Sequence, residues 1–306
     1  MALTTTSNFA GKAAGFYISA ALKEAKSLEY MTLMENIKYK SNIQKMDATG
    51  MIQDAACNFT GAGTLALTEK VLEPKNLMVN TDLCKKELLD SWEALQMRAG
   101  AGAPPPASFN DYVISYLGEI IAAGVEGNIW SGSGAAASGT FLGYLDAANG
   151  EIATGAGIVT SAAAGAYTDG TIIAELKKLV SDWTGSATAV LTQGKDDTYI
   201  YMSYKTYALY ISAISALTGV PWMHMNETYQ SVFEGHKIAV CPGFLDNQLV
   251  AAQKSNLFFG TDLLSDQTRI TMMDMAALDG SDNMRVVARY SGGVQTGINS
   301  EIVRQS

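Results

Sequence analysis

Histidine is nearly missing from this chain of 306 residues: only His224 and His236 occur, and neither stands in an HExxH arrangement or any other metal-ligand spacing. Glu227, three residues after His224 in WMHMNE, makes at most a local surface pair. Cysteine is as scarce. Cys57, Cys84 and Cys241 are odd in number and too far apart for a CxxC redox or zinc motif, so they read as three reduced thiols. Basic charge is outnumbered, with 21 Lys and Arg against 30 Asp and Glu and a net charge of -9. That balance excludes a sequence-specific nucleic-acid reader, which needs a clustered cationic footprint to displace counterions from phosphates. No run of about 18 apolar residues exists, so no segment reads as a membrane-spanning helix. No GxSxG elbow is present, which removes the α/β-hydrolase nucleophile arrangement.

The motifs that do occur lack their context. SGSGAAA carries a GxGxxA pattern at Gly132, Gly134 and Ala137, but a dinucleotide site needs a strand before it and a helix after it. Here helical spacing precedes it, so a loop is expected. QGKDD has Gly194 and Lys195 without the Ser or Thr that would touch magnesium, and its upstream glycine is misplaced for a phosphate loop. Asp279, Asp282 and Asn283 resemble a calcium loop only in composition and read as a turn. The sequons at Asn58 and Asn226 matter only in a secreted protein. Lys12 before AAGFYISAAL gives a faint signal-peptide pattern, but Lys23, Glu24 and Lys26 follow at once, and Phe9, Phe16 and Ala20 suit an amphipathic arm. No catalytic, cofactor-binding or metal-binding residue is nominated, no cofactor is implied, and an enzyme is not expected.

What the chain has is apolar patterning, with 48% hydrophobic residues, enough for one large core or two modest ones. Residues 1–35 read as a partly helical arm. Apolar and polar residues then alternate over Ile37–Met46 and Leu65–Val79, separated by an irregular tip, which predicts a long two-stranded ribbon over 36–82. Such a ribbon is marginal in water and must pack on something; Pro74 reads as a device against free-edge pairing. After APPP, with Ser108 as a candidate cap, Phe109, Val113, Tyr116, Leu117, Ile120 and Ile121 recur at helical spacing. They predict a helix from about Ser108 to Trp130, roughly 35 Å long. A second helix places Ile172, Ile173, Leu176, Leu179, Val180 and Trp183 on one face and Glu175, Lys177, Lys178 and Asp182 on the other. DDTYIYMS reads as a strand and Tyr204–Leu217 as a helix. Short strands are expected at Lys237–Val240, Leu249–Ala252 and Leu257–Thr261, and RITMMDM and MRVVARY pair through DGSDN. The fold class is α+β.

That order of elements, with the strings CNFTGAGTLALTEKVLEPKNLMVNTDLCKKELLDSW (Cys57–Trp92), EGNIWSG (Glu126–Gly132) and VAAQKSNLFFGTDLLSD through RVVARYSGGVQTGINSEIV (Val250–Val303), resembles the major capsid protein of tailed bacteriophages, the Hong Kong 97 fold. The likeness runs from about Asn36 to Val303 and is strongest to phages infecting Bacteroidetes. It implies an N-terminal arm at 1–35, an E-loop hairpin at 36–82, and a P-domain at 83–194 holding the long spine helix. An A-domain at 195–262 and return strands of the P-domain at 263–306 complete the expected division.

The resemblance further implies a homo-oligomer of hexamers and pentamers closing into an icosahedral shell around phage double-stranded DNA. Scaffolding, portal and decoration proteins are implied partners, without sequence-specific DNA binding or a membrane. The protein would reside in the virion after assembly in the bacterial host cytoplasm. A nanocompartment shell enclosing enzymes is the alternative on the same fold, and a soluble α+β enzyme the alternative in another class. Many members carry a long scaffolding region that a protease removes; only about 35 residues precede the ribbon here, so no proteolytic maturation is expected. Some members cross-link subunits through a lysine and an asparagine with help from a glutamate. Lys45, Lys70, Asn283 and Asn299 are the residues such chemistry would draw on, but no motif matches, and it is not carried over.

Overall fold

The strands form three sheets, a two-stranded ribbon and two larger ones. The computed structural model describes residues 25–55, 57, 61–84, 107–163, 165–186, 197–216, 231–262, 270–276, 278 and 280–306. A short 3-10 turn, Lys26–Tyr30, leads into β1 (Thr32–Met34). Strands β2 (Ser41–Thr49) and β3 (Thr64–Leu72) form an antiparallel ribbon, with Ser41 opposite Leu72 and Thr49 opposite Thr64. Two residues later the chain enters β4 (Lys75–Cys84), which belongs elsewhere. Helix α1 (Ala107–Ser131) follows, then a single turn at Glu151–Thr154, β5 (Val159–Ser161), α2 (Ile172–Ser186), β6 (Thr198–Met202) and α3 (Tyr204–Ser215). The remainder is β7 (Val232–Phe233), β8 (His236–Val240), β9 (Leu249–Gln253), β10 (Leu257–Gly260), β11 (Ile270–Asp274), β12 (Asn283–Thr296) and β13 (Val303–Gln305).

Two larger sheets organise these elements. The first is built on β12, whose length lets it pair antiparallel with β4 from Asn283 to Gly292, with β11 along Met284–Ala288, and with β10 along Gly293–Thr296. Strand β1 adds in parallel to β10. The second sheet runs β5-β13-β9-β6-β8-β7. One core lies where α1 lays Ile121, Val125, Ile129 and Trp130 against Leu77, Ala288 and Phe259 of the first sheet. The other packs Ile172, Leu176, Leu179 and Trp183 of α2 onto Ile200, Met202, Leu249, Ala251 and Val303 of the second. Burying each such side chain contributes about 1.5–3 kcal/mol.

The α+β class and the long helix stand as expected, and α1 with 25 residues is about 37 Å long. It begins one residue before Ser108, and its cap lies outside the described residues. The ribbon is corrected: its second limb ends at Leu72, not Val79, because Glu73 and Pro74 redirect the chain into the first sheet. Pro74 therefore marks an exit corner, where the ring cannot extend the ladder, rather than protecting a free edge. Sheet membership does not follow chain order: β5 and β13 join the second sheet and α2 packs on it, whereas β10 pairs in the first. Glu175, expected on the solvent face of α2, is buried and accepts a hydrogen bond from Gln305 Nε2. Ser203, in contrast, caps α3 by accepting from the Thr206 N–H.

Candidate functional site

The ribbon's register sorts its side chains by face. Asn42, Gln44 and Met46 of β2 share one face with Leu65, Leu67, Glu69 and Val71 of β3. Toward the far end that face is apolar and uncovered: Met46, Leu65 and Leu67 are 65%, 58% and 54% exposed, and Ile52 in the tip is 97% exposed. Three large apolar side chains side by side on this ribbon form a contiguous patch, which marks an interaction surface more reliably than scattered exposed residues do.

The opposite face anchors the ribbon to the body. Lys70 Nζ donates to Asn299 Oδ1 at 2.6 Å, Thr296 Oγ1 at 2.7 Å and Glu151 Oε2 at 3.2 Å. An ammonium group has three N–H bonds, and three acceptors are matched to them here. Asn299 is itself held, donating to the Ala156 carbonyl at 3.0 Å and accepting from Thr296 Oγ1 at 2.7 Å. A cleft of about 330 Å³ lies beside this node, between Ile43, Lys45 and Thr68 of the ribbon and residues 297–300 of the body. Gln295 Nε2 adds a donor to the Val71 carbonyl at 3.0 Å. Nearer the body, Leu72 is buried and its side chain packs close over Gly260 of β10, where a Cβ would come within 2.7 Å of it.

Of the four residues considered for cross-linking, Lys70 and Asn299 meet within one chain. Lys45 lines the cleft, and Asn283 opposes Cys84 at the far end of the β4–β12 ladder. Glu151 and Thr296 complete the node and carried no signal in the sequence, being ordinary polar residues remote from the ribbon.

The glycine pattern 132–137 is a loop after a helix, as expected, and it presents acceptors where a phosphate site would present donors. Lys75 Nζ donates to the carbonyls of Ala135, Thr140 and Gly134 at 2.7, 2.9 and 3.1 Å. Gly132 is required by close packing, since a Cβ would sit 2.1 Å from the Phe141 carbonyl oxygen. His236 shares a hydrogen bond with Thr198 Oγ1 at 3.0 Å and leans on Trp183, with ring centroids 5.0 Å apart. Burial pushes its pKa down, partly opposed by Glu234. The three thiols are unpaired: Cys57 is exposed, Cys84 half-buried, and Cys241 buried with its ionisation suppressed by desolvation. His224, Glu227, Gly194, Lys195, Asp279, Asn58 and Asn226 lie outside the described residues. Among the described residues no group of three His, Cys, Asp or Glu side chains is placed to hold a metal, and no helix is long and apolar enough to cross a membrane.

An exposed ribbon leaving a body of one long helix on a β12-centred sheet, with a second mixed sheet beside it, defines the Hong Kong 97-type capsid fold. Solved structures share it over 91–100% of this chain. A chain of the capsid of Myoviridae phage XM1 matches with a TM-score of 0.64 at 11% identity, covering 99% of this chain and 98% of that one. The capsid of the native GTA particle matches with a TM-score of 0.60 at 13% identity, covering 100% and 95%. A virus-like particle from Pyrococcus furiosus matches with a TM-score of 0.50 at 11% identity, covering 91% of each. No protein-family model matches the sequence, and no curated protein does.

Proposed function

We propose that this chain is a major capsid protein that self-assembles into a closed icosahedral shell around a phage double-stranded DNA genome. The observation that carries the reading is the ribbon: an apolar face that nothing among the described residues covers, held out by a three-bonded lysine at its foot. The fold shared with phage capsids supports the same reading. In the shell the Met46, Leu65 and Leu67 face lies on a neighbouring copy, within hexamers and pentamers. A standard contact buries about 1,200–2,000 Å² in total, and each subunit makes several. Residues 1–35 act as an arm, 36–82 as the E-loop, 83–194 as the P-domain with 263–306 as its return strands, and 195–262 as the A-domain.

The net charge of -9 leaves the shell without strong affinity for packaged DNA, so the genome enters and leaves without sticking. The role is structural and non-enzymatic, the site of residence is the virion after assembly in a bacterial cytoplasm, and the relatives are phages of Bacteroidetes. Scaffolding, portal and decoration proteins are the further partners. The virus-like particle among the structural matches keeps a second reading, a shell enclosing protein cargo, on the same fold. Leu65→Glu with Leu67→Glu tests the assembly claim. Both side chains are exposed in the free chain, so the variant folds as a soluble subunit but builds no shells; normal shells from it would remove the ribbon's role. Particle contents separate the two readings: nucleic acid supports the phage shell, a co-purifying enzyme the compartment.

A further inference from the structure

Glu126 sits near the C-terminal end of α1, fully buried, and the ribbon does not involve it. Its carboxylate accepts the Ser27 N–H on Oε2 at 3.0 Å, and the Ser27 hydroxyl and the Gly243 N–H on Oε1 at 2.5 and 3.1 Å. One helical turn later, Trp130 Nε1 donates to Ser27 Oγ at 2.7 Å. Every donor in this network is a neutral group, and two of the three that hold the carboxylate belong to Ser27. A carboxyl group in a buried position depends on all such bonds, because water is not there to replace a lost one.

The surroundings tie the same segments together. A Cβ on Gly243 would lie 2.3 Å from the Glu126 carbonyl oxygen, so the 241–246 turn rests directly on the helix backbone. Phe244 packs edge-on against Trp130 at 4.6 Å, Tyr201 lies 5.5 Å from the same ring, and the Tyr201 hydroxyl donates to the Tyr30 carbonyl at 2.7 Å. Segments at 27–30, 126–130 and 241–246, far apart in sequence, thus meet around one carboxylate.

We propose that Ser27, Glu126 and Gly243 form a latch coupling the chain entering at residue 25 to the 241–246 turn. When Ser27 undocks, Glu126 keeps only the Gly243 N–H, and the buried carboxylate is relieved by opening toward solvent, which frees the turn. When the turn lifts, the grip on Ser27 weakens in the same way. Any partner that pulls on the residues before Lys26 is therefore felt at a turn more than 100 positions beyond α1 in sequence. The latch goes beyond the shell reading and does not depend on it.

Hydrogen exchange on the purified full-length subunit tests the coupling with Ser27→Ala, Glu126→Gln and the double variant. Ser27→Ala is expected to accelerate exchange about tenfold both at 27–31 and at 243–246, since leaving a buried polar group short of a bond shifts local opening by that order. Glu126→Gln gives the same two-site pattern, and the double variant adds nothing beyond the larger single effect. Acceleration confined to 27–31 in Ser27→Ala, or effects that add, overturns the proposal. If Glu126→Gln fails to fold, Ser27→Ala alone decides it. The readout is on free subunits, so it is separate from whether shells form.

Discussion

Replacing Lys70 with Met keeps the aliphatic stem and removes the three bonds at the foot of the ribbon, to Asn299, Thr296 and Glu151. A hydrogen bond to a charged group in a buried setting is worth about 1.5–3 kcal/mol. The Lys70 and Glu151 side chains are 26% and 34% exposed, so water recovers part of that, and Thr296 still donates to Asn299. The net loss is about 1–2 kcal/mol, a roughly 5- to 30-fold rise in opening of the foot. Hydrogen exchange at residues 70–72 and 296–299 measures it. Lys38→Met is the control, because the Lys38–Asp262 pair at 3.0 Å has its lysine 73% exposed and its loss is worth less than about 0.5 kcal/mol. Equal, small effects from both substitutions would refute the anchor.

Gly132→Ala, which drives a Cβ into backbone on two sides, is expected to lower stability by more than about 3 kcal/mol in urea unfolding. Gly139→Ala, at φ +70 but with open space, should lose only about 1 kcal/mol. Burial holds the His236 pKa below its usual 6.5, so the unfolded chain binds the proton more readily. Its contribution is present above pH 6.5 and is lost as pH falls through the folded pKa. His236→Gln should therefore flatten the stability curve on that acid side, and an unchanged slope would contradict the assignment. A thiol reagent on the native subunit should label Cys57 at once and leave Cys241 unmodified, read by mass spectrometry of the peptides.

The long helix was legible because Tyr116, Leu117, Ile120 and Ile121 keep one period over many turns, and that signal survives whatever the helix packs against. Alternation likewise marked the ribbon, but not where it ends. Val71, Leu72, Leu77 and Val79 continue an apolar pattern across Pro74, and nothing local says that β4 leaves for a partner, β12, whose strand lies some 200 residues on. Glu175 was misplaced for a related reason. A carboxylate on a helix reads as solvent-facing until a buried Gln305 is known to meet it. The Lys70 node and the Ser27–Glu126–Gly243 network are the extreme cases, each assembled from common residues brought together only by the tertiary fold. Lys75 reverses the usual lesson of a glycine-rich loop, since the carbonyls, not the N–H groups, converge, and a lysine of the chain itself fills the space.

Electron microscopy of the purified full-length protein tests the central claim most directly. Closed shells, in which the Met46, Leu65 and Leu67 face of each ribbon is covered by a neighbouring copy, are the predicted result. A monodisperse monomer or small oligomer with that face still open to solvent, at every concentration and salt tried, would contradict it.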